Sequence, residues 1–199
     1  IMSGFTIMNG NSANGGGIFA GGSATFHFNT LRIVDNYAVG AGGGIYLNGG
    51  SDLDVENTII INNASGSIGG GVYVDGAATS VFNNVTISNN SSNMYGAISD
   101  GGGFVSLLNS IIWDNTDNTE NSFPWTGSYN INYSIPQIDD TFGYLIYLDP
   151  LFVDPDNGDF NLEWGSPCID TGDPESELDP DGTIADMGAF YFDQIENPI

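Results

Sequence analysis

The sequence predicts an all-β fold, a right-handed parallel β-helix with about 27 residues per coil. Two motifs that repeat in phase predict this solenoid. The glycine motif reads Gly15-Gly16-Gly17-Ile18-Phe19, Gly42-Gly43-Gly44-Ile45-Tyr46 and Gly69-Gly70-Gly71-Val72-Tyr73. The copies of an isoleucine motif follow one another at steps of 26, 27, 27 and 25 residues. In such a fold, like residues of successive coils stack at the strand spacing of about 4.8 Å.

The isoleucine motif predicts one strand and one corner in each coil. Its strand carries a column of β-branched side chains that we expect to fill the interior: Ile7, Ile33, Ile60, Ile87 and Ile112. The corner carries a column that we expect to form an amide ladder between coils: Gly10, Asn36, Asn63, Asn90 and Asn115. The triple glycines predict another corner, where the backbone needs positive φ or close approach.

A third short strand per coil is predicted between these motifs, at Ala24–Phe28, Leu53–Val55 and Ser80–Phe82. The regular coils are expected over residues 1–116 and an irregular continuation over 117–165. Strands are predicted there at Tyr129–Ile135, Tyr144–Leu148 and Asp159–Leu162. Residues 166–199 are rich in Asp, Pro and Gly and are expected to form a loop-rich cap over the open end, within one cooperative domain.

The charge of the chain excludes several classes of partner. It has 25 acidic residues against one basic residue, Arg32, and a formal net charge of −24. Nucleic acids, anionic membranes and polyanionic polysaccharides need basic clusters, so we expect none of them to bind. Neutral glycans and divalent cations are compatible with this charge. No apolar run is long enough to predict membrane insertion, and the chain is expected to be a mature product or a piece of a longer protein.

The C-terminal part carries an ordered motif series. It consists of Asp149-Pro150-Leu151-Phe152-Val153-Asp154, Asn157–Leu162, Gly165-Ser166-Pro167-Cys168-Ile169-Asp170-Thr171-Gly172 and Asp179–Phe190. Together with the coils, this series resembles secreted bacterial β-helix repeat proteins of the pectin-lyase-like superfamily, of the type that precedes a surface anchor or sorting domain. The resemblance implies export and an extracellular or cell-surface location. It implies no particular reaction.

Catalysis has weak candidates in this sequence. Lyases of the superfamily that this chain resembles use a basic residue to abstract a proton beside bound calcium. Only Arg32 could take that role here, and a surface ion pair is the favoured interpretation of Arg32. Asp35 and Asp114 share a column but lie three coils apart, about 14 Å, which is too far for a paired-carboxylate mechanism. Asp52 and Asp54 share a strand face at about 7 Å, which fits an inverting hydrolase on distance alone. A solvated turn explains these two aspartates better.

One aromatic column is the candidate ligand-binding surface. Phe19, Tyr46 and Tyr73 recur at the coil step, with Asp100 at the next turn. Their neighbours are aliphatic, so strand alternation predicts that the aromatic rings point outward. An exposed column would stack on sugar rings or a partner. The favoured alternative is that the segment after Asn115 folds over it.

Two acidic turns are candidate calcium sites. Their carboxylates are Asp154, Asp156 and Asp159 in the first turn, and Asp179, Asp181 and neighbouring Asp186 in the second. A hard cation prefers such oxygen ligands, although neither turn has the full EF-hand spacing. Ordinary aspartate-capped turns remain the favoured explanation, with Ca²⁺ as the alternative.

Together these features predict a non-catalytic extracellular structural, adhesive or assembly module. Its partner would be a neutral glycan, a protein, or another copy of the chain. The alternative is a carbohydrate-active enzyme, either a polysaccharide lyase or a glycoside hydrolase, or a glycan-binding domain of the pectin-lyase-like kind. Whether the protein is an enzyme stays open, with the sequence favouring that it is not.

Overall fold

The fold of this chain is a parallel β-solenoid, as the repeats predict. The structure is a computed structural model that describes residues 1–118, 128–135 and 148–196. Among these residues the only helix is a 3₁₀ turn at Pro155–Asn157. No helix in this part of the chain is long and apolar enough to cross a membrane. The part of Tyr144–Leu148 before Leu148 lies outside the described residues, so the strand predicted there is not described.

The described strands are short and fall into three parallel sheets and one hairpin. In chain order they are β1 (Met2–Ser3), β2 (Thr6–Met8), β3 (Asn11–Ser12), β4 (Ile18–Ala20), β5 (Thr25–Asn29), β6 (Arg32–Val34), β7 (Tyr37–Ala38), β8 (Ile45–Leu47), β9 (Asp52–Ile61), β10 (Ala64–Ser65), β11 (Val72–Asp75), β12 (Thr79–Ser88), β13 (Ile98–Gly101), β14 (Phe104–Leu108), β15 (Ile111–Trp113), β16 (Ser128–Asn132), β17 (Phe152–Asp154) and β18 (Asp159–Leu162).

The first sheet combines two of the predicted strands of each coil. It contains β1, β2, β5, β6, β9, β12, β14, β15 and β16, all paired in parallel. In β9 and β12 the predicted short strand and the isoleucine strand form one continuous strand of ten residues. A residue with positive φ separates the two parts, namely Asn57 in β9 and Asn84 in β12. Asparagine tolerates this conformation, which bends the sheet without interrupting its pairing.

Two smaller sheets complete each coil. The second sheet, β3, β7 and β10, contains only two-residue strands, which the sequence analysis did not predict. The third sheet, β4, β8, β11 and β13, follows the triple glycines and pairs Ile18 with Ile45, then Val72 and Ile98.

The isoleucine column fills the interior, as predicted. Ile33, Ile60, Ile87 and Ile112 are all 0% exposed, and Ile7 in the first coil is partly buried. The asparagine column forms the predicted ladder. Asn63 shows its pattern: Oδ1 accepts from the backbone N–H of Asn36 at 3.1 Å and from its Nδ2 at 2.9 Å, while Nδ2 donates to the Ile33 carbonyl and to Asn90 Oδ1, both at 2.9 Å.

The left-handed residues of this corner lie one position before the ladder. They are Asn9, Asp35, Asn62, Asn89 and Asp114. The glycine corner also behaves as predicted, because the first glycine of each triplet has positive φ and the second has no room for a side chain. A Cβ on Gly70 would meet the carbonyl oxygens of Ser91 and Gly96 at 2.5 Å or less.

Residues 148–196 make their described contacts on one side of the solenoid, along the outer face of the first sheet. The cap predicted over residues 166–199 stays a prediction. Ile59 and Ile111 point outward from the first sheet and pack there with Phe152, Phe160 and Met187. The antiparallel hairpin of β17 and β18 belongs to this segment. It confirms the strand predicted at Asp159–Leu162, while β17 was not predicted. β16 confirms the strand predicted from Tyr129, although it ends at Asn132.

Candidate functional site

The aromatic column forms a continuous row on the outer face of the third sheet. Phe19, Tyr46 and Tyr73 lie directly opposite one another in β4, β8 and β11. Ring centroids are 5.1 Å apart for Phe19 and Tyr46, which are nearly parallel at 6°, and 5.2 Å apart for Tyr46 and Tyr73, which are tilted by 41°. Phe19 is 57% exposed and both tyrosines are half-buried. The rings point outward, as strand alternation predicts.

The fourth member of this row is Ser99, and the expectation that it is Asp100 is wrong. Tyr73 pairs with Ser99, and Asp100 pairs with Val74, whose side chain is buried. The step from Tyr73 to its partner is 26 residues, because the coil is one residue shorter than those before it. Asp100 lies near the row all the same, since its charge helps to raise the pKa of Tyr73, after burial and the charge of Asp75.

The tyrosines of the row are kept protonated. Tyr46 donates a hydrogen bond from its hydroxyl to Asp75 Oδ2 at 3.0 Å. Burial, this hydrogen bond and the negative charge of Asp75 raise the pKa of Tyr46 to about 12. The row therefore offers neutral rings, with the carboxylates of Asp75 and Asp100 beside the tyrosines.

The candidate catalytic residues make separate contacts. Asp52 and Asp54 share the outer face of β9, as predicted, and Asp54 Oδ2 lies 3.0 Å from His27 Nδ1 in an exposed pair. Arg32 donates from Nη2 to the Gly158 carbonyl at 3.4 Å. Among the described residues Arg32 has no carboxylate within 4.0 Å, so its contact is with the C-terminal segment and not the surface ion pair favoured from the sequence.

The first acidic turn is organised by its own hydrogen bonds. Asp154 Oδ2 accepts from Asn157 Nδ2 at 2.8 Å, and Asp159 Oδ1 accepts from the backbone N–H of Asn161 at 3.0 Å. Asp156 is exposed. Within residues 1–118, 128–135 and 148–196, no three His, Cys, Asp or Glu side chains form a group that could hold a metal ion.

The second acidic turn anchors the C-terminal segment. Asp186 is 1% exposed, and its two carboxylate oxygens accept from the backbone N–H groups of Asp170 at 2.7 Å and Phe192 at 2.6 Å. Asp179 Oδ2 accepts from the N–H of Asp186 at 2.8 Å, and Asp181 Oδ2 from that of Gln194 at 3.0 Å. These aspartates connect loops to one another, as in the favoured interpretation of aspartate-capped turns.

Burial and hydrogen bonding act in opposite directions on these carboxyls. Burial raises the pKa of Asp186 to about 6, although the two backbone donors lower it and the charges of Asp179 and Asp170 add to the rise. Burial also raises the pKa of Asp179. The backbone donor of Gln194, together with Thr183, lowers the pKa of Asp181.

No protein-family model, curated protein or solved structure matches this chain.

Proposed function

We propose that this chain is a non-catalytic extracellular adhesive module, which holds a rigid solenoid surface against neutral glycans without cleaving them. The observation that supports the proposal best is the aromatic row, because three rings lie in register on the outer face of consecutive coils. Aromatic side chains that remain exposed in a regular array are typical of contact surfaces.

The extracellular location and the relationship to the pectin-lyase-like superfamily are part of the same proposal. The C-terminal motif series and the coils resemble exported proteins of the pectin-lyase-like superfamily, and a parallel β-solenoid is consistent with that resemblance. Binding without cleavage is favoured because Asp54 and Arg32 make separate contacts, with His27 and with the Gly158 carbonyl. Both carboxylate oxygens of the buried Asp186 accept from backbone N–H groups. A chain with 25 acidic residues and one arginine also repels acidic polysaccharides.

Retention on insoluble polysaccharide tests this function. The purified chain is mixed with cellulose, chitin or insoluble xylan, and depletion from the supernatant is measured together with reducing ends released into it. We expect depletion on at least one polysaccharide and no release of reducing ends above a protein-free control. Release of reducing ends, or of unsaturated products from pectin or alginate, would show an enzyme. Absence of retention on all three would contradict the adhesive function.

A further inference from the structure

We infer that neutral oligosaccharides bind in a groove beside the C-terminal segment, whose aromatic walls are Trp164 and Tyr191. This inference rests on the proposed adhesive function and names a site for it that is separate from the aromatic row. The groove consists of two adjoining cavities, of about 620 Å³ and about 870 Å³, which share Asn161 and Tyr191 in their linings. Each cavity is within the size range of small-molecule sites, and together they suit a chain-like ligand.

The aromatic row presents its rings differently from the groove. Phe19 and Tyr46 are nearly parallel with centroids 5.1 Å apart, so each covers a face of the other. A sugar ring packs its C–H groups against the open face of an aromatic ring, so a stacking site needs a ring whose face is not already covered.

Trp164 meets this requirement in the first cavity. It is 64% exposed and lies at the tip of a turn that the Ser166 N–H closes on the Glu163 carbonyl at 3.0 Å. Gly165 follows it with φ of 89°, the left-handed conformation that such a turn needs at its third position. The turn is held in place because Ser166 Oγ donates to the Pro150 carbonyl at 2.6 Å. The indole is therefore displayed on a fixed support.

Tyr191 is held between two anchored neighbours. The Ala189 N–H donates to Thr86 Oγ1 of the first sheet at 3.0 Å, and the Phe192 N–H donates to the buried Asp186 at 2.6 Å. Tyr191 itself is 39% exposed. Partial burial and the charges of Asp193, Asp181, Asp179 and Glu196 raise its pKa, so the hydroxyl stays protonated and can donate a hydrogen bond.

The rest of the lining suits hydroxyl groups. The second cavity is lined by the amides Asn57, Asn83 and Asn84 and by the hydroxyls of Thr30 and Ser176. Amides and hydroxyls both donate and accept hydrogen bonds, as sugar hydroxyls do. Neither lining contains a lysine, arginine or histidine, which argues against phosphate, sulfate or uronate ligands.

Five carboxylates line the groove: Glu56, Glu163, Glu177, Asp179 and Asp193. Three of them accept hydrogen bonds within the chain, Asp179 from the N–H of Asp186 at 2.8 Å, Asp193 Oδ1 from that of Ile195 at 2.9 Å, and Glu56 from Asn29 at 3.0 Å. Carboxylate oxygens also accept hydrogen bonds from sugar hydroxyls, so we assign the groove to an uncharged ligand, with a basic peptide as the alternative for the test to reject.

A fluorescence and calorimetry titration tests the assignment on the full chain. Cello-, chito- and xylo-oligosaccharides are titrated into the wild type, Trp164→Ala and Phe19→Ala. The two substitutions form a matched pair, since each removes one well-exposed aromatic ring, from the groove and from the row respectively. We expect at least one oligosaccharide to quench or shift Trp fluorescence, and Trp164→Ala to weaken its binding by about tenfold or more, while Phe19→Ala leaves the affinity unchanged.

The other outcomes are distinct. Loss of affinity in Phe19→Ala with retention in Trp164→Ala would place the ligand on the row and overturn the groove. Equal affinity in all three chains would overturn the groove while leaving the adhesive function intact. Binding of oligolysine in place of every oligosaccharide, with loss on added salt, would overturn the ligand class. Wild type that neither binds oligosaccharide nor adheres to polysaccharide would contradict the function itself. Thermal melting of each variant confirms that it is folded.

Discussion

The asparagine ladder shows how single buried side chains hold successive coils in register. Asn63, Asn90 and Asn115 each bond to a backbone N–H, a side-chain amide and a carbonyl of the preceding coil, in an interior that water does not reach. The hydrogen bonds of the ladder add only modestly to stability. Losing one asparagine costs more, because it leaves buried polar groups without partners.

Asn63→Ala should therefore destabilise the solenoid strongly. It leaves the buried Asn36 N–H without its acceptor and removes one donor from the Ile33 carbonyl, and each buried polar group left unsatisfied costs about 1–3 kcal/mol. We expect the free energy of unfolding to fall by about 2–5 kcal/mol in denaturant titration. Asn93→Ala is the control, because Asn93 is exposed and donates to the Gly66 carbonyl. Equal losses in the two variants would contradict the role of the ladder.

The sequence predicts some individual positions well and others poorly. The isoleucine, asparagine and glycine columns could be predicted because the repeat supplies several copies of the same local constraint. The position of Asp100 was harder to predict, because the shortened coil has Tyr95 in place of the first glycine, so Gly96-Ala97-Ile98 lies 26 residues after Gly70-Gly71-Val72. The repeat gives no indication of a role for Trp164, which lies outside it. The signal available was a tryptophan before a glycine directly after a short strand, which is typical of a turn tip.

At the scale of elements, three consecutive isoleucines explain where the C-terminal segment packs. Ile60 points into the core, so Ile59 and Ile61 on either side of it must point outward. An apolar outer face needs cover, and Phe152, Phe160 and Met187 provide it. The need for cover could be read from the sequence, but the covering segment could not be identified, because its docking depends on contacts between residues far apart in the chain.

The glycine corner makes a second prediction at this scale. Gly70→Ala should be poorly tolerated, because the new Cβ would press on the carbonyl oxygens of Ser91 and Gly96, which are backbone atoms fixed by the coil stacking. Gly22→Ala is the comparison, since its φ of 95° is strained for alanine but nothing lies within 4 Å of the new Cβ. Strain of this kind costs roughly 1–2 kcal/mol.

We expect the melting temperature of Gly70→Ala to fall below that of Gly22→Ala. Differential scanning calorimetry on both variants provides the comparison. A Gly70→Ala chain as stable as the wild type would show that coils do not approach as closely at this corner as the structure indicates.

At the scale of the whole molecule, the stability of the C-terminal segment depends on pH through Asp186. Its pKa is raised from 3.8 to about 6 on folding, so the protonated form is favoured in the folded state. The resulting stabilisation is fully present below about pH 4 and is lost as pH rises through about 6. Asp170 and Asp179 face the same carboxyl, and their charges act in the same direction.

We therefore expect the melting temperature to decrease between about pH 4 and pH 7. Asp186→Asn removes the titrating group and should flatten this dependence, although the amide also loses one acceptor and lowers stability at every pH. Asp156→Asn, at an exposed carboxyl outside this network, should keep the wild-type slope. If the melting temperature of Asp186→Asn depends on pH as steeply as that of the wild type, other carboxylates cause the pH dependence.

The whole molecule combines a rigid solenoid, a strongly acidic surface and a groove lined with aromatic, amide and hydroxyl side chains. These properties together lead to the central claim, that the chain holds neutral glycans and leaves them intact. The most direct test is to incubate the chain with a neutral oligosaccharide, isolate the complex, and determine the mass of the released ligand. The account predicts a complex from which the oligosaccharide is recovered whole. Recovery of shortened products, or of no ligand for any neutral oligosaccharide, would contradict it.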